Sequence, residues 1–215
     1  MTPAPWPIVV FDLDGTVADT IDLIMASYEH AVNSVVGEAL DRARARRWIG
    51  RTLAASLGEA YPDQAQELLA SYFEFNAAKA PEFIKRFPGM NELLDELEGR
   101  GVRTAIATSK RAASTRQTLE LIGADVRVTI TMEDTLLHKP DPEPLLLAVS
   151  RLGGEPAQAA YVGDAVVDVQ AAQAAGMAAI AVTWGAGDRA DLAAAAPTAL
   201  VDTPAQLREV LLGAA

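Results

Sequence analysis

Phe11-Asp12-Leu13-Asp14-Gly15-Thr16 follows the apolar run Ile8-Val9-Val10. Two carboxylates separated by one residue thus stand where a buried strand gives way to a glycine turn. Alternate side chains of a strand point the same way, so Asp12 and Asp14 begin as like charges on one face. That repulsion becomes useful when a divalent cation neutralises the pair, or when one carboxylate attacks while the other keeps a proton. Thr108-Ser109-Lys110 offers hydroxyls and backbone N–H groups just ahead of a helix. Such a terminus suits a phosphate, although simple N-capping would use the same residues. Lys139 is one of few lysines in an acidic chain and sits in His138-Lys139-Pro140-Asp141-Pro142, where two prolines fix the loop. Asp164 and Asp168 are four residues apart and can face one space from the first turn of a helix.

The elements that must position these residues alternate along most of the chain. Strands are expected at Val102–Thr108, Val126–Thr131, Ala160–Gly163, Met177–Thr183 and Ala199–Asp202. Between and after them fall helices Met90–Arg100, Ala112–Ile122, Glu143–Leu152, Val166–Ala175 and Pro204–Leu212. Most of these helices stop at glycine, the usual left-handed end, and the strands are short apolar runs of the buried parallel kind. With the N-terminal strand they form one α/β doubly wound parallel sheet. A block over roughly 18–85 reads as all-helical and is inserted after the first strand. Its helices are Ile21–Val35, Arg42–Trp48, Thr52–Tyr61 and Asp63–Ala80, and Arg42, Arg44, Arg46 and Arg47 read as a solvated face. In such a sheet ligands gather beyond the carboxyl ends of the strands, which is where Asp12, Asp14, Thr108, Ser109 and Asp164 fall. His30 lies within an amphipathic helix and reads as structural; His138 is assigned no role.

Composition bounds the partners. The chain has 215 residues, a net charge of -11 and no cysteine. Nucleic acid and anionic membranes are disfavoured as partners, and disulfides and thiolate chemistry are excluded. The opening Met1-Thr2-Pro3-Ala4-Pro5-Trp6 has no basic region leading into an apolar core, so no secretory leader is expected. No stretch has the length to span a bilayer. A soluble, cytoplasmic protein is expected, and the sequence leaves its oligomeric state open.

The ordered set Asp-Leu-Asp-Gly-Thr, Thr-Ser-Lys, Lys-Pro-Asp-Pro and Gly-Asp-x-x-x-Asp resembles the haloacid dehalogenase superfamily over essentially the whole chain. Asp12–Thr20 and Lys139–Pro144 look most like its phosphoglycolate phosphatase branch. The resemblance implies a catalytic core of residues 1–17 and 86–215 and a small helical cap of residues 18–85. It implies a Mg²⁺-dependent phosphatase acting on a small phosphorylated metabolite. Asp12 would attack phosphorus to form an aspartyl phosphate, and Asp14 would serve as acid and then base. Mg²⁺ would be held by Asp12, the backbone carbonyl of Asp14 and Asp164. Thr108, the Ser109 amide and Lys139 would hold the phosphoryl oxygens. Asp168 would orient Lys139 or a metal-bound water. Ala165 departs from the pattern, which often has Ser or Thr there.

Other enzymes of this kind fit less well. A dehalogenase lacks the second aspartate, which Asp14 supplies. A sugar-phosphate mutase would carry histidine twelve residues beyond the nucleophile, where this chain has Ile24. A phosphonate hydrolase needs a Schiff-base lysine early in the cap, but the cap lysines are Lys79 and Lys85, near its exit. A non-catalytic binding protein should have lost a charged residue of the set, and none is missing. Gly50-Arg51, between two cap helices, is the candidate specificity loop. Arg51 suits a substrate carboxylate, a second phosphate as in pyrophosphate, or plain solvation. Lys110 is expected to point outward.

Overall fold

β1 (Ile8–Phe11) is buried along its whole length and lies at the centre of the sheet. The computed structural model describes residues 4–213; residues 1–3 and 214–215, the two ends of the expected core, lie outside them. After β1 come β2 (Ala18–Asp19), α1 (Ile21–Val35), α2 (Arg42–Arg46), α3 (Leu53–Ala60), α4 (Ala65–Phe83) and β3 (Lys85–Arg86). The chain then alternates through α5 (Met90–Gly99), β4 (Arg103–Ala107), α6 (Ala112–Ile122), β5 (Val128–Ile130), α7 (Glu143–Arg151) and β6 (Ala159–Gly163). It ends with α8 (Val166–Ala174), β7 (Ala178–Val182), α9 (Arg189–Ala194), β8 (Ala199–Val201) and α10 (Pro204–Leu212).

Six strands form one sheet in the order β5-β4-β1-β6-β7-β8, and every pairing in it is parallel. The period of two sends alternate β1 residues to opposite faces. Val9 and Phe11 join Leu93 and Leu97 of α5 and Leu207 and Leu211 of α10 in one core. Ile8 and Val10 join Leu145 and Val149 of α7 and Val169 and Ala172 of α8 in another. Helices therefore cover both faces, as a sheet of fully apolar parallel strands requires.

The helical segment between β2 and β3 has its own core, in which Met25, Tyr28 and Val32 of α1 meet Leu68 and Tyr72 of α4. It is not all-helical to its ends. β2 and β3 pair antiparallel, Ala18 with Arg86 and Asp19 with Lys85, where the segment leaves and rejoins the sheet. Strands of two residues have no periodicity to read. α4 runs past Pro81 to Phe83 because Ile84 N–H still donates to Ala80 O at 3.0 Å. α9 adds a helix of six residues to those expected from the sequence. Among the described residues no helix is long and apolar enough to cross a membrane.

Candidate active site

Register brings the site together. Phe11 pairs with Ile106 of β4 and with Val162 of β6, so the three strands end at one level. The residues that follow, Asp12, Thr108 and Asp164, emerge side by side. The chain runs from β1 out to β4 and β5 and then crosses to β6 on the other side of β1. The site therefore sits where the winding reverses, the crevice in which open α/β sheets bind ligands.

Lys139 fills the space beneath Asp12. Its Nζ lies 3.1 Å from Asp12 Oδ2 and 2.7 Å from Asp168 Oδ1, with all three side chains at most 4% exposed. It also donates to the Tyr161 hydroxyl at 3.0 Å, and Tyr161 in turn donates to Ala107 O at 2.9 Å. Burial alone would lower the Lys139 ammonium, but the facing Asp12 and Asp168 carboxylates outweigh it and hold the lysine well above its ordinary value. Burial pushes the Asp12 carboxyl up to about 7, opposed by Lys139 and reinforced by Asp168 and Asp14. Asp168 is fixed from both ends, because its Oδ2 accepts from Ala165 N–H at 2.9 Å. Ala165, lacking a hydroxyl, returns no side-chain bond to the first turn of α8.

Asp14 faces elsewhere. Its Oδ1 accepts from Thr20 Oγ1 at 2.7 Å and from Lys110 Nζ at 2.8 Å. Lys110 thus turns inward, contrary to the expectation from sequence; its side chain is 10% exposed. The expected phosphate cradle also differs in detail. Thr108 N–H is taken by Ile130 O at 2.9 Å, and Lys110 N–H by Thr108 Oγ1 at 3.2 Å. α6 begins only at Ala112, whose N–H is taken by Glu133 Oε2. Among the described residues the Ser109 N–H is left without a protein partner.

Asp164 lies across from Asp12. Its Oδ1 accepts from Thr16 Oγ1 at 3.1 Å and its Oδ2 from Ala186 N–H at 2.6 Å. Burial holds its carboxyl well above the usual range, with Asp168 and Asp12 adding to the effect. Gly15 is required at the turn, since its φ is +76° and a Cβ there would collide with the Asp164 carboxylate. Carboxylate oxygens of Asp12, Asp164 and Asp168 lie within 4.8 Å of one another. Asp168 is committed to Lys139 and Ala165. Asp12 Oδ1 is buried with no hydrogen-bond partner, which is costly for a carboxylate oxygen unless a ligand completes it. Asp12 and Asp164, two hard oxygen donors in a dry site, fit a cation such as Mg²⁺; the Asp14 carboxylate is not part of this group.

The helical segment roofs the site. A cavity of about 230 Å³ opens above Asp12 and Asp14, with Thr108, Ser109 and Lys110 in its floor and Gly50 and Arg51 in its wall. The Gly50 carbonyl accepts from Ser109 Oγ at 2.9 Å. Arg51 is held by Glu59, with contacts of 2.6 and 3.1 Å. Arg46 is exposed, as a solvated face requires, but it also reaches across the molecule. It donates to the carbonyls of Gly185 and Ala186, each at 2.9 Å, across to the loop after β7. Within Arg42–Arg47 nothing in sequence separates this arginine from its neighbours. Tyr161, a lone phenol in an aliphatic strand, and Thr16 and Thr20, beside the acidic motif, were legible as polar residues in apolar surroundings. His30 stacks on Phe75 at 4.4 Å.

Buried carboxylates held against a lysine at the reversal point of a parallel sheet mark an α/β enzyme. Residues 9–182 match the family model for haloacid dehalogenase-like hydrolases, and the chain belongs to that family. It is similar to the Pyrophosphatase PpaX of Bacillus velezensis, with 36% identity over 86% of each chain. It is likewise similar to the Probable phosphatase IndB of Dickeya dadantii, with 38% identity over 92% of this chain and 90% of the relative. The crystal structure of a hydrolase from Pseudomonas syringae superposes with a TM-score of 0.85 at 25% identity, covering 93% of this chain and 94% of that one.

Proposed function

We propose that this hydrolase is a Mg²⁺-dependent phosphomonoesterase working through an aspartyl phosphate on Asp12, with residues 18–85 as a cap over a core of residues 1–17 and 86–215. The observation that carries this reading is Asp12 itself, a buried carboxylate with an unpartnered Oδ1, set between Lys139 and Asp164. An oxygen of Asp12 forms a bond to phosphorus as the bond from phosphorus to the ester oxygen breaks. The leaving oxygen takes its proton from Asp14, which Thr20 and Lys110 hold in place. Asp14 then removes a proton from water, whose oxygen attacks phosphorus, releases phosphate and restores Asp12. Lys139 and the Ser109 N–H hold phosphoryl oxygens, and Asp168 with Tyr161 positions Lys139. Asp12, Asp164 and the Asp14 carbonyl would hold Mg²⁺, which when bound screens the nucleophile from the phosphate charge. A cytoplasmic setting and a small phosphorylated metabolite as substrate belong to the same reading. Phosphoglycolate and, from the name of the Bacillus velezensis relative, pyrophosphate are the candidates it starts from. The test is hydrolysis of phosphate monoesters with and without Mg²⁺ in the native protein and in Asp12→Asn. Turnover should need the ion and vanish in the variant; turnover that survives Asp12→Asn with the fold intact overturns the proposal.

A further inference from the structure

The far wall of the cavity is mostly apolar, with Asn76 as its one amide. Above the acidic floor it presents Ile24, Tyr28, Trp48, Leu69, Tyr72 and Phe73 of the helical segment. The rings are fixed against one another, with Tyr28 edge-on to Trp48 at 5.2 Å and to Tyr72 at 5.1 Å. This surface is therefore formed before a ligand arrives, and such aromatic contacts are directional as well as apolar.

Every cation that lines the cavity is already matched. Arg51 grips Glu59 with both terminal nitrogens. Lys110 is on Asp14 at 2.8 Å. Arg111 lies 3.5 Å from Glu133 and stacks over the Phe73 ring at 4.7 Å. A second anion on the substrate, beyond the reacting phosphate, would have to compete with Glu59, Asp14 or Glu133 for a cation and would lose water to an aromatic wall. Burying a charge without a partner is strongly unfavourable, whereas an apolar group gains from the same surface. At about 230 Å³ the space is smaller than the ~300–1,000 Å³ of a drug-sized site, which limits the occupant to roughly one ring or a short branched chain.

We infer that the alcohol released by this enzyme is uncharged and apolar, with an aromatic ring or branched aliphatic group seated against Trp48, Tyr72 and Phe73. Substrates with a second anion, phosphoglycolate and pyrophosphate included, are then poor ones. This inference rests on the phosphomonoesterase reading, but it can be tested apart from catalysis.

The experiment compares the binding of benzylphosphonate, ethylphosphonate and phosphonoacetate by calorimetry in the presence of Mg²⁺, alongside hydrolysis of benzyl phosphate and ethyl phosphate. Burial of a ring should make benzylphosphonate bind at least about tenfold more tightly than either of the others. Phe73→Ala should narrow the benzyl-to-ethyl ratio, in binding and in kcat/KM alike. Phosphonoacetate binding as well as benzylphosphonate, a benzyl-to-ethyl ratio near one, or no detectable benzylphosphonate binding at millimolar concentration each overturns the inference. Any of these with benzyl phosphate still hydrolysed leaves the phosphomonoesterase reading standing. No hydrolysis of either ester, with the benzyl preference intact, removes that reading and keeps the preference of the pocket.

Discussion

The ammonium of Lys110 lies 2.8 Å from Asp14 Oδ1, the same oxygen that accepts from Thr20 Oγ1 at 2.7 Å. Both contacts fall on one oxygen, and among the described residues Oδ2 has no protein partner. The carboxylate is thereby oriented by two donors on one side and left open on the other, over the cavity. Asp12 is held in the same fashion by Lys139, at 3.1 Å. Each aspartate of the motif has its own lysine, although the two stand only two residues apart.

Lys110→Ala should therefore impair turnover rather than pass unnoticed. A hydrogen bond to a charged group contributes about 1.5–3 kcal/mol, so the loss in kcat/KM should be roughly 10–150-fold, with Lys110→Arg recovering part of it. Steady-state kinetics with circular dichroism to verify folding make the check. Full activity in Lys110→Ala would show that Thr20 alone orients Asp14.

Lys139 predicts an effect on stability as well. Removing one partner of a buried ion pair strands the other and typically costs about 3–5 kcal/mol. Lys139→Met leaves Asp12 and Asp168 facing each other without a cation, and should lose stability in that range in metal-free buffer. Adding Asp168→Asn removes one stranded charge and should restore part of the loss. Urea unfolding of the two variants decides it; a single variant as stable as the native protein would mean that the carboxylates are neutralised by some other route.

The fold and the acidic half of the site were legible because Asp12, Thr108 and Asp164 each follow a short, largely apolar strand. Asp12, Thr108, Lys139, Asp164 and Asp168 all converge as their positions implied. What stayed hidden depends on side-chain reach across the molecule. Lys110 could turn in or out on the same backbone, and Arg46 is one of four arginines in Arg42–Arg47, told apart only by the carbonyls of Gly185 and Ala186 it reaches. Three readings were open for Arg51, and no local pattern shows that Glu59, eight residues on, pairs with its guanidinium. The free N–H groups expected at Thr108-Ser109-Lys110 were reduced to one by sheet and turn bonds that no local pattern reveals.

Mg²⁺ should stabilise the protein more as pH rises. The folded protein holds the Asp12 proton with a pKa of about 7, against an ordinary 3.8. This group's contribution to stability is thus complete below the ordinary value and is lost as pH climbs through about 7. Asp164 is shifted in the same direction by burial. A cation supplies the missing positive charge in the range where the proton has left. Saturating Mg²⁺ at ~100 times its Kd adds about 2.7 kcal/mol, which for a chain of this size is a rise in Tm of roughly 5–10 °C. Thermal melts with Mg²⁺ and with EDTA should show this rise near about pH 8 and a much smaller one near about pH 5.5. A shift independent of pH would place the ion away from Asp12 and Asp164.

Gly50 fixes how closely the helical segment can approach the sheet. Its φ is +93°, and a Cβ there would lie 2.8 Å from Ala165 Cβ and 2.9 Å from Val167 Cγ2. Its carbonyl is the one that Ser109 Oγ holds, and Arg46 supplies the second mooring at Gly185 and Ala186. Gly50→Ala must therefore do two things: strain a left-handed backbone, at about 1–2 kcal/mol, and lift the roof from the first turn of α8. Gly37 separates the two effects, since its φ is +77° and nothing lies within 4 Å of a Cβ there. Gly37→Ala should lower Tm by a few degrees and leave kcat/KM close to native. Gly50→Ala should lower Tm by more, since the clash adds to the strain, and kcat/KM about tenfold or more, because the cavity wall at Trp48 and Arg51 moves with residue 50. Ser109→Ala, which releases the same carbonyl without any clash, should fall between the two. If Gly50→Ala and Gly37→Ala changed kcat/KM equally, the close approach of Gly50 to Ala165 would have no part in holding the site closed.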